Sequence, residues 1–158
     1  MIQLSNSVKN SKYLFSALCI LLGCAMYGQK NIVSHTSGEG SFGLVTSKKT
    51  SKLVLDPSDF EGVNIAAKNF QKDIERVTGK SPEFISEVKG NGNVIIGTIG
   101  RNKMIDSLIQ HQNIDVSKIQ GKWEAYSIKK IGEDLLIIGS DKRGTIFGIY
   151  ELSKQIGV

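Results

Sequence analysis

The chain has 158 residues, the length of about one domain on a prior of roughly 100–200 residues per domain. Twenty Lys and Arg against fifteen Asp and Glu give a net charge of +5, without the dense basic stripe a nucleic-acid binder of this size carries, and 40% hydrophobic residues exclude a chain too polar to fold. Both cysteines, Cys19 and Cys24, lie in one N-terminal apolar stretch, which excludes a disulfide framework and a cysteine zinc site elsewhere, and the two histidines, His35 and His111, are too few for a histidine metal centre.

Residues 1–28 read as an export signal, followed by a secreted or periplasmic mature chain. Lys9 and Lys12 form a positive flank with no acid. The apolar run Leu14–Met26 is broken only by Ser16 and Gly23 and falls short of the ~20 residues a membrane-crossing helix needs. Small residues then lead to a cleavage position near Gly28 and Gln29. Leu21-Leu22-Gly23-Cys24 also has the form of a lipobox, so attachment through a lipidated Cys24 is the alternative. No integral membrane segment is expected in the mature chain. Removal of residues 1–28 leaves eighteen cations against fifteen acids, a mildly basic remainder. Residues 29–40 are polar and rich in Gly and Ser, and read as a tether.

Ordered elements are expected from residue 41 to 158. Short apolar runs at Ser41–Thr46 and Lys52–Asp56 read as strands, with a polar turn over Ser47–Ser51. A helix is predicted from about Asp59 to Thr78. Ser58 and Glu61 have capping-box spacing, and Asp59 adds negative charge to the first turn. Phe60, Val63, Ala67, Phe70, Ile74 and Val77 recur at spacings of three and four on one stripe. Gly79 is placed to end that helix in a left-handed turn, and Pro82 prevents its resumption.

A strand at Glu83–Glu87 and a turn at Gly90–Asn93 follow. Asn93–Ile99 is a continuous apolar run and the expected central strand. A second helix is predicted over Asn102–Gln112, then a connection over 113–121. Trp123–Ile131 and Asp134–Gly139 read as antiparallel neighbours joined at Gly132 and Glu133. A last helix runs from about Gly144 to Ile156. Interspersed strands and helices with one hairpin give an α/β chain of the α+β type: a mixed sheet flanked by three helices.

Chemistry-bearing patterns are sparse. Gly139-Ser140-Asp141-Lys142-Arg143-Gly144-Thr145 joins a strand to a helix, where backbone N–H groups can cradle an anion and Lys142 and Arg143 add charge. It has neither phosphate-loop spacing, and the other reading is a strand-to-helix turn capped by Asp141 or Ser140, with Gly144 allowing close packing. Asn93–Gly100 is a second such junction. Asp56, Asp59, Asp73 and Glu75 show no pairing with a second acid. Trp123 and Tyr126 read as core or hairpin residues, or as a sugar-stacking platform. No catalytic constellation emerges.

Several stretches, taken together, resemble a known family. They are Val63–Ala67 through Asp73–Gly79, then Val94–Gly100, Ile119–Glu124, Gly139–Ser153 and Gln155–Val158. In this order and spacing they are similar to the N-terminal domain of glycoside hydrolase family 115, the xylan α-1,2-glucuronidases, over about residues 41–158. The resemblance implies a secreted, multidomain, inverting hydrolase that removes (4-O-methyl)glucuronic acid from glucuronoxylan. It implies that this part is a small α/β module, similar to the one preceding the barrel in β-hexosaminidases. The catalytic carboxylates and the contact with glucuronoxylan then belong to a (β/α)8 barrel beyond Val158, and the chain reads as a truncated product, a split reading frame or an excised domain, inactive alone. No cofactor or metal is implied. By the looser hexosaminidase analogy Arg143, with Lys142 and Asp141, binds substrate at the barrel mouth; the alternative is that Lys142 and Arg143 stabilise the domain junction. A free-standing glycan-binding module is the other functional reading. A face left without its neighbour would expose Phe147, Tyr150 and Ile156.

Overall fold

The computed structural model describes residues 32–36 and 38–158. The expected leader, its cleavage position and Cys24 lie outside the described residues. Among the described residues no helix is long and apolar enough to cross a membrane.

Five strands form one sheet: β1 (Lys52–Leu55), β2 (Phe84–Ile85), β3 (Asn93–Thr98), β4 (Tyr126–Ile131) and β5 (Asp134–Gly139). Their order is β2-β1-β3-β5-β4. β2, β1, β3 and β5 run parallel, and β4 runs antiparallel to β5. Three helices cover the sheet: α1 (Glu61–Thr78), α2 (Lys103–His111) and α3 (Lys142–Gln155). This is the mixed sheet with three flanking helices expected from the sequence.

Burial explains the order. All six residues of β3 are buried, as a central strand covered on both faces requires. Leu53, Val94, Ile96 and Ile137 face α1 and α3, whose Val63, Phe70, Ile74, Ile149 and Leu152 complete that core. Val54, Ile95, Leu136 and Ile138 face the other way, toward Ile105 of α2. The two sets alternate along each strand, as the two-residue period of a pleat dictates. The edges are short or charged: β2 has two residues, and β4 carries Lys129 and Lys130. Both devices discourage pairing with another chain.

The sequence reading departs from the structure at identifiable places. Ser41–Thr46 is not a strand. Its only ladder contact is the isolated bridge Val45–Thr50, because the turn held by Thr46 and Lys49 folds the segment back on itself. The α1 stripe ends early. Val77 is 42% exposed, while Ala66 and Asp73 are buried instead. The capping box does not form: Phe60 is the N-cap residue and receives no side-chain cap. Gly79 does close α1 in a left-handed turn (φ 71°), its N–H donating to Glu75 O. The 113–121 connection carries Ile114, Val116 and Ile119, all buried with α2 against the second face. α3 begins at Lys142, two residues before the expected Gly144. Ile156 is buried, whereas Phe147 and Tyr150 are 40% and 43% exposed.

Candidate functional site

The parallel strands bring their C-terminal ends together. Three loops meet there, leading into α1, α2 and α3, and the 121–125 turn joins them because β4 runs the opposite way. α1 and α2 leave adjacent strands β1 and β3 toward opposite faces. In open α/β sheets such a switch point is the usual ligand crevice.

Here the switch point is filled by the chain's own side chains. Asp59 is 4% exposed. Its Oδ2 accepts from Thr98 N (2.9 Å) and from Asn102 Nδ2 (3.2 Å), and its Oδ1 accepts from Phe60 N (2.7 Å). Asn102 Oδ1 in turn caps α2 by accepting from Ile105 N at 3.1 Å. Arg101 lies over the Phe60 ring at 5.2 Å. The Asn93–Gly100 junction is therefore a packing device: a Cβ on Gly97 would meet Asn102 and, at 2.6 Å, Ile105 Cγ1.

The second junction is organised by Asp141. It is the N-cap of α3, and its Oδ1 accepts from Gly144 N at 2.7 Å. Its Oδ2 accepts from Glu124 N at 2.9 Å. The carboxylate thus sits where an anion would bind a bare helix N-terminus. These two amides, Glu124's first, hold the Asp141 carboxyl below the usual carboxylate range, with Arg143 adding to the effect. Ser140 ties the same two segments together, its Oγ donating to Ala125 O (2.9 Å) and accepting from Ala125 N (3.1 Å). Gly144 is needed for this approach, because a Cβ there would strike Ala125 O.

Lys142, Arg143 and Asp141, the three residues singled out in the sequence, therefore stand together at the start of α3. The Arg143 guanidinium bonds Glu124 Oε1 at 2.9 Å and lies 5.6 Å from the Phe147 ring centroid. Its side chain stays 61% exposed. Glu124 adopts a left-handed backbone (φ 55°), a conformation costly for a non-glycine residue. It is held from both sides, by Asp141 at its amide and Arg143 at its carboxylate. At the apex of this turn Trp123 is 87% exposed, so it is not the core residue that was one reading of the sequence. Tyr126 is separated from it in role: its ring packs on Gly148 of α3, and burial, with Glu151 nearby, pushes its phenol above the ordinary value. Glu124 and Asp59 were missed as organising residues. In the sequence Glu124 has no partner at readable spacing, and Asp59 shows only as an unpaired acid and a helix-end charge.

His35 and His111 are exposed, and among the described residues no group of three or more metal-ligating side chains comes together.

One expected outcome concerns the cap. Asp141→Ala should cost roughly 1 kcal/mol at neutral pH, the usual worth of an N-cap. The Asp141 carboxyl has a lowered folded-state value, so its contribution is present above the unfolded value near 4 and is lost as pH falls through the folded one. Urea unfolding of parent and variant should therefore differ at pH 7 and converge in strong acid. A gap that widens on acidification would contradict the cap geometry.

Residues 44–152 match the family described as Glycosyl hydrolase family 67 N-terminus. The chain belongs to that family. Among solved structures, one similar chain is that of BtGH115A, described as a family GH115 4-O-methyl-alpha-glucuronidase with specificity for decorated arabinogalactans. It is 28% identical with a TM-score of 0.60, over 68% of this chain and 13% of that one. The structure of CpGH84D shares the fold at a TM-score of 0.51 and 18% identity, over 68% of this chain and 18% of that one. The chain thus spans a small part of the length of either neighbour. Among curated proteins none matches. The chain is an N-terminal module related to GH67- and GH115-type hydrolases, which is the coarser form of the resemblance read from its sequence.

Proposed function

We propose that the protein is the non-catalytic N-terminal module of a secreted or periplasmic α-glucuronidase-type hydrolase. Its whole enzyme removes (4-O-methyl)glucuronic acid from a decorated polysaccharide, with glucuronoxylan as the first candidate and decorated arabinogalactan, the specificity stated for BtGH115A, as the second. The observation that carries this reading is the joint match of residues 44–152 to the family 67 N-terminus and of 68% of the chain to a family 115 enzyme. An inverting glycosidase needs two carboxyl groups roughly 6.5–9.5 Å apart with a water between them. At the sheet edge Asp59 and Asp141 are both engaged by backbone amides, which suits a supporting wall. Lys142 and Arg143 are the residues by which this edge meets substrate, the guanidinium suiting a uronate carboxylate. Asp141 sets their position by capping α3.

The test is direct. The purified chain, incubated with glucuronoxylan and with uronic-acid-decorated arabinogalactan, is expected to release no uronic acid. Release above a boiled control would place the acid and base within this chain and overturn the reading.

The exposure of Trp123 supports a second reading, a glycan-binding module acting by itself. Xylan-containing affinity gels distinguish the two. Retardation that vanishes in Trp123→Ala while the fold survives would favour the binding module. Equal mobility of parent and variant favours the hydrolase module.

A further inference from the structure

Away from the sheet edge, a cleft of about 360 Å3 opens between α1 and α3, lined among others by Asn69, Lys72, Asp73, Arg76, Tyr150 and Ser153. We propose that this cleft is a saccharide subsite that takes a uronate-bearing sugar. α1 supplies its residues at positions 69, 72, 73 and 76, the helical spacing that places side chains on one face. α3 supplies Tyr150 and Ser153 one turn apart.

Three features define the ligand. Tyr150 is 43% exposed and offers a ring for stacking, and its hydroxyl accepts from Asn69 Nδ2 at 3.1 Å. An amide beside a phenol supplies donors and acceptors for sugar hydroxyls. Ser153 is 3% exposed, and its Oγ has no hydrogen-bond partner in the protein. A buried hydroxyl without a partner is uncommon; this one lies beneath the cleft wall, closed to solvent, and does not itself face a ligand. The charge of the lining is positive: Lys72, Arg76 and Lys154 stand against Asp73. Asp73 is itself occupied, bonded by Arg76 at 3.0 Å. A ring, paired polar groups and net positive charge ask for an anionic, polyhydroxylated ligand. The choice of a uronate rests on the function proposed above.

The isotope-labelled chain would be titrated with xylotriose bearing one glucuronate and with neutral xylotetraose, followed by amide chemical shifts. The expected shifts fall on residues 69–76 and 150–154, with the neutral sugar about tenfold weaker and Lys72→Glu weakening the acidic sugar by about tenfold, as loss of a charge-assisted contact does. Tyr150→Ala is the decisive variant, because it removes the exposed ring on which the sugar stacks. Its circular dichroism should match that of the parent while its affinity falls about fivefold. Equal affinity for both sugars, shifts confined to residues 121–126 and 143–147, or full affinity in Tyr150→Ala would each overturn the subsite. Uronic acid release by the chain alone would sink the non-catalytic reading and leave this shift map intact, so the two failures are distinguishable.

Discussion

Gly139→Ala is expected to lose about 3 kcal/mol of stability or more, at the upper end of overpacking costs. The reason is a backbone approach. A Cβ at Gly139 would clash with Thr145 N and its Oγ1. Backbone cannot rotate aside as a flexible side chain can. Thr145 sits there because its hydroxyl bonds Thr98 Oγ1 across the end of the sheet at 2.7 Å and Asp141 O at 3.0 Å. Relieving the overlap means moving the first turn of α3 off β5, with loss of the Thr98 contact and of the seam between Asp141 and Glu124. Urea unfolding with an unchanged denaturant slope is the measurement. Gly38→Ala is the control, since nothing lies within 4 Å of a Cβ there, and it should stay within about 0.5 kcal/mol of the parent. Equal stability of Gly139→Ala and the parent would show that α3 is not seated on β5 as described.

Asp59→Ala should be nearly as severe, at about 3 kcal/mol, because it strands buried donors and does more than remove a bond. Thr98 N and Asn102 Nδ2 would both lose the Asp59 Oδ2 acceptor. Asp59→Asn retains one side-chain oxygen and should fall between parent and alanine. Amide hydrogen exchange gives an independent readout: the Thr98 N–H should be strongly protected in the parent and lose that protection first in Asp59→Ala. Unaltered protection at Thr98 would rule out the switch-point network.

How much of this was legible in sequence followed the range of the interaction involved. α1 was readable because Val63, Ala67, Phe70 and Ile74 announce a buried face within one helix, and Gly79 its end. The Asp141 cap was readable because donor and acceptor lie three residues apart. The Ser41–Thr46 strand was misread, since apolar content does not reveal whether an edge is available to pair with. Asp59 showed only its local face, a charge beside a helix start. Its partners Thr98 and Asn102 are 39 and 43 residues away, and nothing in the intervening chain marks them. The core reading of Trp123 fails for a related reason: its exposure depends on a turn held by Ser140 and Asp141, from a segment that follows β4 and β5. The family likeness was readable at the level of the N-terminal module because it rests on runs, above all residues 139–153, and not on any one residue.

The braced turn that carries Trp123 has a consequence for recognition. Binding usually requires mobile groups to be immobilised, and that loss of freedom subtracts from affinity. Here the indole stands on backbone already fastened at Glu124, Ala125 and Ser140. Whatever docks on it meets a finished template, and contact with the ring is retained as net attraction instead of being spent on ordering the segment beneath it.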